Sequence, residues 1–495
     1  MNKLFYGDNL DVLRRHIATE SIDLIYLDPP FQSGRDYNIL FEEQDGSKAS
    51  AQIQAFEDTW EWDQRAAESY DDVVRAGGPV ANALEAFKKL LGGSPMMAYI
   101  SMMAPRLVEL HRVLRKTGSI YLHCDMTASA HLRILMDAVF GQKNFRNEII
   151  WYYYNKMHDS RKRLFPRATD TLLFYVKDRD ADFTYRQLKE KRDKPVKQLA
   201  RRKEDGRIVN AKDEEGHVIY RLKEDRTIDN VWRIPCIQPA DKTQRMGYPT
   251  QKPEALLARV IEASSREGDV VLDPFCGCGT AIAVAQQMKR QWIGIDITHL
   301  AVGLIKHRLL HAFGIKPKND YEVVGEPTTL EGALQLAKDD RHQFEHWALG
   351  LVGARASAKG KGADRGIDGQ LTFQEGGPGS EHKHVYISVK SGGVKSGDVR
   401  DLRGVVEREK AAMGWFITLE EPSKPMKKEV ADAGFYSSPW GKHGRLQILT
   451  VEDLLEGRTF SHPPIRPTGT TFKLPRRKTE VADQGSLLPD SEEEE

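Results

Sequence analysis

Residues 268–280 have the pattern of a short apolar strand, a turn rich in small residues and the first turn of a helix. The strand candidate is Val270–Leu272, the turn contains Gly277 and Gly279, and the helix candidate is Thr280–Met288. Small residues let the backbone approach a ligand closely, and a helix N-terminus offers free N–H groups. The pattern is typical of an α/β domain that binds a ligand at the turn.

Residues 1–326 alternate short apolar runs with amphipathic segments, which predicts an α/β domain with a mostly parallel sheet. Glu326-Pro327 is interpreted as a linker, residues 327–460 as a smaller α+β domain, and residues 461–495 as a disordered tail rich in Pro, basic residues and a final Glu run. The other predicted elements are strands Ile22–Leu27, Ser119–His123, Thr171–Val176, Trp292–Ile295, Gln370–Phe373, Val385–Lys390, Gly414–Leu419 and Leu446–Val451, and helices Met97–Leu114 and Leu334–Leu349.

The composition narrows the class of protein. Lys+Arg is 73 and Asp+Glu is 72, so a net charge of +1 excludes a bulk polycation but not a local basic groove. No apolar run is long enough to span a membrane, the N-terminal residues lack the apolar stretch of a signal peptide, and four cysteines make no disulfide framework. We therefore expect a globular cytoplasmic protein.

One segment is distinctly basic. Between Arg186 and Arg207 there are 10 basic and 4 acidic residues, a local charge of 10 − 4 = +6. A solvated helix face is one interpretation; nucleic-acid binding is the other, because aromatic residues that suit bases and sugars flank the segment. The candidate DNA-binding residues are Arg201, Arg202 and Lys203.

An acidic residue follows the glycine turn at a sequence separation typical of nucleotide-binding sites. Asp296 ends the next strand, 296 − 273 = 23 residues beyond Asp273, and an acid about 20 residues after such a turn suits a ribose diol. The departure from G-x-G-x-x-G argues against a dinucleotide. Cys276 and Cys278 are interpreted as small packing residues, because C-x-C without a second pair is not a zinc pattern.

A second motif follows the strand Ile22–Leu27. The tetrapeptide is Asp28, Pro29, Pro30 and Phe31. A carboxylate and a carbonyl held by a rigid proline backbone can accept both hydrogens of an exocyclic amine, and an aromatic face can stack on an extruded base. The alternative is that the tetrapeptide only forms the turn that ends the strand. The ligand-binding turn predicted at residues 268–280 argues against this alternative.

Together these motifs resemble the DNA amino-methyltransferases, which use S-adenosylmethionine. The tetrapeptide resembles their catalytic motif and precedes the cofactor loop by 273 − 28 = 245 residues, an order similar to the permuted β class and to type III modification subunits. The resemblance implies a Rossmann-like fold and an insert at 152–247 for target recognition. The cofactor-binding residues it implies are Asp8, Lys252, Asp273, Phe275, Gly277, Gly279, Thr280 and Asp296.

The resemblance also implies an activity: methyl transfer to the N6 amine of adenine in double-stranded DNA, in restriction–modification or phage defence. Asp at position 28 is more similar to the adenine enzymes than to the cytosine-N4 enzymes, which more often carry Ser. Cytosine-N4 methylation, a bifunctional enzyme that also cleaves DNA, and a non-catalytic DNA-binding scaffold are the alternatives. A homodimer is a further expectation.

The smaller domain resembles Mrr-like restriction endonucleases of the PD-(D/E)xK superfamily. The resemblance implies a phosphodiesterase site in which Asp368 binds Mg²⁺, with contributions from Glu345, Ser388 and Lys390. Ser388 departs from the pattern, because a hydroxyl is a poorer Mg²⁺ ligand than the usual Glu or Gln. A module that holds DNA without cutting it is the alternative.

The tail contains Gln484–Leu488, which is loosely similar to peptides that bind bacterial sliding clamps. A chance match in a disordered segment is the preferred interpretation.

Overall fold

The computed structural model describes residues 2–30, 61–156, 165–204, 207–241, 243–246, 248, 250–356, 366–375 and 382–463. Two predicted features fall outside these ranges: Phe31, and the tail beyond residue 463 with its clamp-like peptide. Residues 461–463 of the predicted tail are described, and Ser461 is hydrogen-bonded to Gln447 of the smaller domain. No helix in the described ranges is both long enough and apolar enough to cross a bilayer.

The strands, in chain order, are β1 (Asn2–Tyr6), β2 (Ile22–Leu27), β3 (Leu114–Cys124), β4 (Phe145–Tyr152), β5 (Thr169–Val176), β6 (Lys189–Leu199), β7 (Arg201–Glu204), β8 (Arg207–Asn210), β9 (Tyr220–Thr227), β10 (Val231–Arg233), β11 (Val270–Asp273), β12 (Gln291–Asp296), β13 (Tyr321–Val324), β14 (Arg355–Ala356), β15 (Gly369–Gln374), β16 (His382–Lys390), β17 (Met413–Thr418), β18 (Phe435–Ser438), β19 (Gly441–Gly444) and β20 (Leu446–Thr450).

The helices are α1 (Asn9–His16), α2 (Gln64–Ala76), α3 (Gly78–Leu91), α4 (Pro95–Val113), α5 (Ser129–Phe140), α6 (Glu254–Ser264), α7 (Thr280–Gln287), α8 (His299–Phe313), α9 (Leu330–Asp339), α10 (Arg341–Leu351), α11 (Ser396–Arg408), α12 (Lys424–Asp432) and α13 (Val451–Leu455).

The larger domain is built on a nine-stranded sheet in the order β10-β4-β5-β3-β2-β11-β12-β1-β13. The strand pairs are parallel except for the two that β5 makes with β3 and β4. Apolar side chains on both faces form cores under the helices, one with α1 to α5 and the other with α6, α7 and α8. The predicted α/β domain with a mostly parallel sheet is confirmed.

The sheet has a topological switch point between β2 and β11. The chain leaves β2 towards β3 on one side and leaves β11 towards β12 on the other, while β2 and β11 pair directly in parallel. In open α/β sheets, ligands bind beyond the carboxyl ends of the strands at such a point. The two motifs of the sequence, at Asp28 and Asp273, follow or end these two strands.

The region predicted as a target-recognition insert, 152–247, contains both sheet strands and a projecting arm. β5 and β10 join the large sheet, whereas residues 189–227 form an antiparallel ribbon in which β6 pairs with β9 and β7 with β8. Most side chains of this ribbon are exposed, with Ala200 buried. We call residues 189–227 the ribbon arm. Its basic segment is interpreted from the sequence either as a solvated helix face or as a nucleic-acid-binding segment. The helix is wrong, because the described residues of this segment form antiparallel strands.

The smaller domain contains a five-stranded sheet in the order β14-β15-β16-β17-β20, packed against α10 and α11, with β18 and β19 as a separate hairpin. The predicted strands at 370–373, 385–390, 414–419 and 446–451 correspond to β15, β16, β17 and β20. The single helix predicted at Leu334–Leu349 is wrong, because Asp340 divides it. The Asp340 carboxylate caps the N-terminus of α10 by accepting hydrogen bonds from the backbone N–H groups of His342 and Gln343.

Candidate active site at the carboxyl edge of the sheet

Asp28 is held by a lysine from a distant segment. The ammonium of Lys252, just before α6, donates to Oδ2 of Asp28, and the two side chains are 11% and 16% exposed. Oδ1 of Asp28 is buried and has no hydrogen-bond partner within the described residues. The pair thus leaves one acceptor oxygen without a partner at the switch point. The sequence predicts Lys252 as a cofactor-binding residue, and the structure places its ammonium on Asp28.

The glycine loop adopts the conformation that its composition predicts. Gly277 and Gly279 have φ of +48° and +72°, in the left-handed region that favours glycine. A Cβ on Gly279 would lie 2.7 Å from Cγ1 of Ile305, and one on Gly277 would lie 3.1 Å from the ring of Tyr248. Gly279 precedes α7, which begins at Thr280. The loop therefore presents backbone rather than side chains next to Asp273.

Asp296 ties the glycine loop to the following loop. Its Oδ2 accepts from the backbone N–H of Gly277 at 2.9 Å, and its Oδ1 accepts from the N–H and hydroxyl of Thr298 at 3.0 and 2.9 Å. A carboxylate oxygen has two lone pairs, so Thr298 already saturates Oδ1, whereas Oδ2 retains capacity to accept one ligand hydroxyl. The structure thus brings Asp296 to the glycine loop, as the sequence predicts.

The acids at this edge are electrostatically unusual. Burial raises the pKa of Asp273 well above its ordinary value, and the neighbouring charges of Asp28 and Asp296 raise it further. Burial also raises the pKa of Asp296 to about 6, although the hydrogen bonds from Thr298 and Gly277 oppose the shift. Acids with strongly shifted pKa values cluster at functional sites, and structural ion-pair networks shift pKa values as well. Asp273 also accepts from the N–H of Phe275 at 3.1 Å, which shapes the start of the loop.

Asp8 has a structural partner that the sequence did not indicate. It caps α1 through Leu10 and pairs with Arg106 at 2.6 Å. Arg106 also donates to Asn9, whose amide donates to the carbonyl of Pro274 at 2.8 Å in the glycine loop. Asn9 directly follows Asp8 in the sequence, so its proximity to the glycine loop could have been considered together with that of Asp8. Arg106 lies in the middle of α4 and carries no sequence signal.

A buried polar chain lies beside the Asp28 motif. The hydroxyl of Tyr26 shares a 2.9 Å hydrogen bond with Nδ1 of His123, and Nε2 of His123 lies 3.5 Å from Asp170. Burial would raise the pKa of Asp170, but His123, Lys252 and Arg167 together lower it below its ordinary value. These residues were missed because each is a single polar residue in an apolar strand or loop. The register that pairs Leu27 with Leu122 carries Asp28 and His123 to the same edge.

The predicted DNA-binding residues lie on the ribbon arm. Arg201, Arg202 and Lys203 are exposed on β7, and Arg202 pairs with Glu204 at 3.2 Å. Because side chains alternate along a strand, Arg201 and Lys203 share one face and Arg202 lies on the other.

The nuclease-like residues of the smaller domain do not form a metal centre within the described residues, where no cluster of three potential metal-ligating His, Cys, Asp or Glu residues occurs. Oδ2 of Asp368 accepts from the hydroxyl of Ser388 at 3.1 Å and from the N–H of Val389 at 2.7 Å. Lys390 ends the same strand, β16, and Glu345 lies on α10. The Mg²⁺ site at Asp368 remains a prediction without support from this geometry.

The fold and the site define an α/β protein in which a glycine loop at the carboxyl edge of the sheet lies beside an acidic acceptor. Residues 22–307, which are 286 of 495, match the N6_N4_Mtase family model, described as DNA methylase. The chain belongs to this family and is a DNA methyltransferase. Residues 341–456 match a second model, described as NACHT-associated inactive Restriction Endonuclease 1.

Named relatives also match the chain. The Type II methyltransferase M.HpaI of Haemophilus parainfluenzae is 28% identical over 295 residues, covering 60% of this chain and 70% of the relative. The DNA adenine methyltransferase YhdJ of Escherichia coli (strain K12) is 26% identical over 311 residues, covering 61% of this chain and 81% of the relative. Among solved structures, a putative DNA modification methylase from Thermus thermophilus, complexed with S-adenosyl-L-methionine, has a TM-score of 0.36 at 15% identity and covers 66% of this chain and 100% of that one.

Proposed function

We propose that this DNA methyltransferase transfers a methyl group from S-adenosylmethionine to the N6 amine of adenine in double-stranded DNA, as part of restriction–modification or phage defence. The observation that carries the proposal is the Asp28 carboxylate at the switch point, with one buried oxygen without a partner in the described residues, next to the glycine loop. The order of the two motifs, Asp28 before Asp273, supports the permuted β class.

The residues at the switch point fit the proposed cofactor. The glycine loop offers backbone with positive φ, and Oδ2 of Asp296 has acceptor capacity for one ribose hydroxyl. Phe275, Thr280 and Asp8 lie at or beside this loop and complete the proposed pocket. S-adenosylmethionine supplies an electrophilic methyl group on a sulfonium.

Asp28 and the backbone of Pro29 then act on the substrate amine. The lone pair of an exocyclic amine is delocalised into the ring, which makes the amine a poor nucleophile. Oδ1 of Asp28 and the Pro29 carbonyl accept its two hydrogens, favouring a pyramidal nitrogen with a localised lone pair, and positioning supplies most of the rate. The base must first leave the duplex, at a cost of a few kcal/mol, and Phe31 supplies a stacking face in this proposal.

Adenine is favoured over cytosine because the relative YhdJ is named a DNA adenine methyltransferase and because position 28 is Asp. The exocyclic amines of the two bases have the same geometry, so the product must be identified chemically. We do not propose that the smaller domain cleaves DNA, because Oδ2 of Asp368 already accepts hydrogen bonds from Ser388 and Val389.

The test is methyl incorporation with identification of the product. The full chain is incubated with isotopically labelled S-adenosylmethionine and DNA, and the digested nucleosides are separated by mass spectrometry. We expect labelled N6-methyladenine. Asp28→Asn should lower incorporation at least about 100-fold, while the matched control Asp11→Asn, an exposed acid on α1, should not. Labelled N4-methylcytosine would replace the adenine assignment, and retained turnover in Asp28→Asn would reject the role of Asp28.

A further inference from the structure

The two domains meet at a buried hydrogen bond. The backbone N–H of His299, the first residue of α8, donates to Oε1 of Gln343 on α10 at 3.1 Å. His299 is 3% exposed and Gln343 is 4% exposed. The two residues lie in regions that match separate family models, 22–307 and 341–456. A side chain of the smaller domain therefore satisfies a helix N-terminus of the methyltransferase domain.

That helix N-terminus follows directly from Asp296. Asp296, Ile297 and Thr298 connect β12 to α8, and Thr298 caps α8 by accepting from the N–H of Ala301. Asp296 anchors one end of this turn through Thr298 and Gly277, and Gln343 anchors the other end through His299. The turn that presents the proposed ribose-binding acid is thus held from both domains.

Further contacts surround the junction between the two domains. The ring of Tyr6 stacks on the ring of His299 with centroids 3.6 Å apart, and Tyr6 pairs with Asp296 in the sheet register. Glu326 binds Lys306 of α8 and lies 3.7 Å from Nδ1 of His299. Asp340, which caps α10, is close enough to Tyr6 to contribute to the raised pKa of its hydroxyl, after burial.

We propose that the restriction-endonuclease-like domain is a structural part of the cofactor site, with Gln343 as the positioning residue that fixes the turn carrying Asp296. The inference rests on the proposed function, since it assumes that S-adenosylmethionine binds at the glycine loop. Without Gln343, the His299 N–H is buried without an acceptor, and the turn relaxes to find one. By linkage, cofactor binding also tightens the packing of α10.

The experiment measures binding rather than turnover. Isothermal titration of S-adenosylhomocysteine into the full chain gives the dissociation constant for the unaltered protein and for Gln343→Met, which keeps the length of the side chain but removes the acceptor. We expect Gln343→Met to bind about five- to tenfold more weakly, within the usual range of coupling between sites.

Gln447→Met is the matched control, because Gln447 bonds Ser461 and Gly444 inside the smaller domain. It should bind as the unaltered chain does. Equal affinity for Gln343→Met and the unaltered chain would overturn the inference, as would an equal loss in Gln447→Met. No binding by the unaltered chain would instead contradict the proposed function.

A second measurement on the unaltered chain covers the case in which Gln343→Met does not fold. Hydrogen exchange of the amides in 341–351 is followed with and without S-adenosylhomocysteine. We expect slower exchange on binding, whereas exchange that does not change would contradict the inference.

Discussion

The ammonium of Lys252 and the carboxylate of Asp28 form a partly buried ion pair between segments 224 residues apart. Lys252 also lowers the pKa of Asp170 and opposes the rise in the pKa of Asp273, after the larger effects of other groups. One cation therefore balances several carboxylates at the switch point. Two roles for Lys252 are therefore to be distinguished: it holds the Asp28 carboxylate, or it binds the cofactor.

Lys252→Met should lower the rate of methyl transfer about 100-fold, because an electrostatic contact at a reacting centre has about that effect on kcat. If its main role is to hold Asp28, the affinity for S-adenosylhomocysteine should change little. If Lys252 binds the cofactor, as the sequence predicts, that affinity should fall as well. Single-turnover methyl transfer and isothermal titration of S-adenosylhomocysteine separate the two roles. Lys116→Met is the control, because Lys116 is exposed near the start of β3, away from the carboxyl edge of the sheet.

Cofactor affinity should fall as the pH is lowered through about 6, the raised pKa of Asp296. Protonation converts one acceptor oxygen of this acid into a donor, so fewer lone pairs remain for Gly277, Thr298 and a ribose hydroxyl. Titrations of S-adenosylhomocysteine between about pH 5 and pH 8 test the expectation. Asp296→Asn should bind more weakly with a flatter pH profile, and an equally steep profile in that variant would assign the titration to another group.

The raised pKa of Asp296 has the opposite effect on folding stability: lowering the pH weakens cofactor binding but removes a cost to the folded state. Because the pKa of Asp296 is raised in the folded chain, the folded state binds this proton more tightly than the unfolded state does. Ionisation of Asp296 therefore costs stability above about pH 6, and the cost disappears as the pH falls towards about 4, the value for an unfolded aspartate. In denaturant titrations, the free energy of unfolding of Asp296→Asn should therefore be higher than that of the unaltered chain at neutral pH. This difference should disappear in acid.

Gly279→Ala should destabilise the glycine loop and weaken cofactor binding. Its φ of +72° is unfavourable for alanine by about 1–2 kcal/mol, and the new Cβ would lie 2.7 Å from Ile305. Gly303→Ala is the matched control, since Gly303 lies within α8 and its Cβ would meet nothing within 4 Å. Thermal denaturation should show a lower midpoint for Gly279→Ala and an equal or higher one for Gly303→Ala.

Binding of the chain to DNA should weaken steeply with salt if the ribbon arm binds phosphates. Removing Arg201 and Lys203 together should reduce the slope of log K against log salt by about 0.9 for each phosphate that is no longer neutralised. Arg202→Ala should have a smaller effect, because Arg202 lies on the opposite face and pairs with Glu204. Fluorescence anisotropy over a salt series measures the slopes, and an unchanged slope in the double variant would place the DNA elsewhere.

Much of the larger domain could be predicted from sequence because its strands are short apolar runs between turn signals. Ile22–Leu27 is predicted with the bounds that the structure has, and the glycine loop and Asp296 are predicted to lie together, as they do. These features follow from local composition and from the rule that parallel strands end at one edge. The local pattern therefore carries the position of the loop and its acid.

Contacts between distant segments could not be predicted in the same way. The pairing of Lys252 with Asp28, the support of Asn9 under Pro274 and the bond between Gln343 and His299 each depend on three-dimensional packing. The ribbon arm was equally difficult, because its exposed residues have no apolar alternation by which to recognise strands.

The position of β1 has a consequence for biosynthesis. β1 pairs with both β12 and β13, so Asn2 lies beside Tyr321, whereas β2 pairs with β3 on one side and with the later strand β11 on the other. Contacts of such high sequence separation form slowly, because a long loop must close first. A nascent chain therefore carries β1 without either neighbouring strand until β12, Gln291–Asp296, has been made. The proposed methyl-transfer site, which needs both β2 and β11, is therefore completed only late in synthesis.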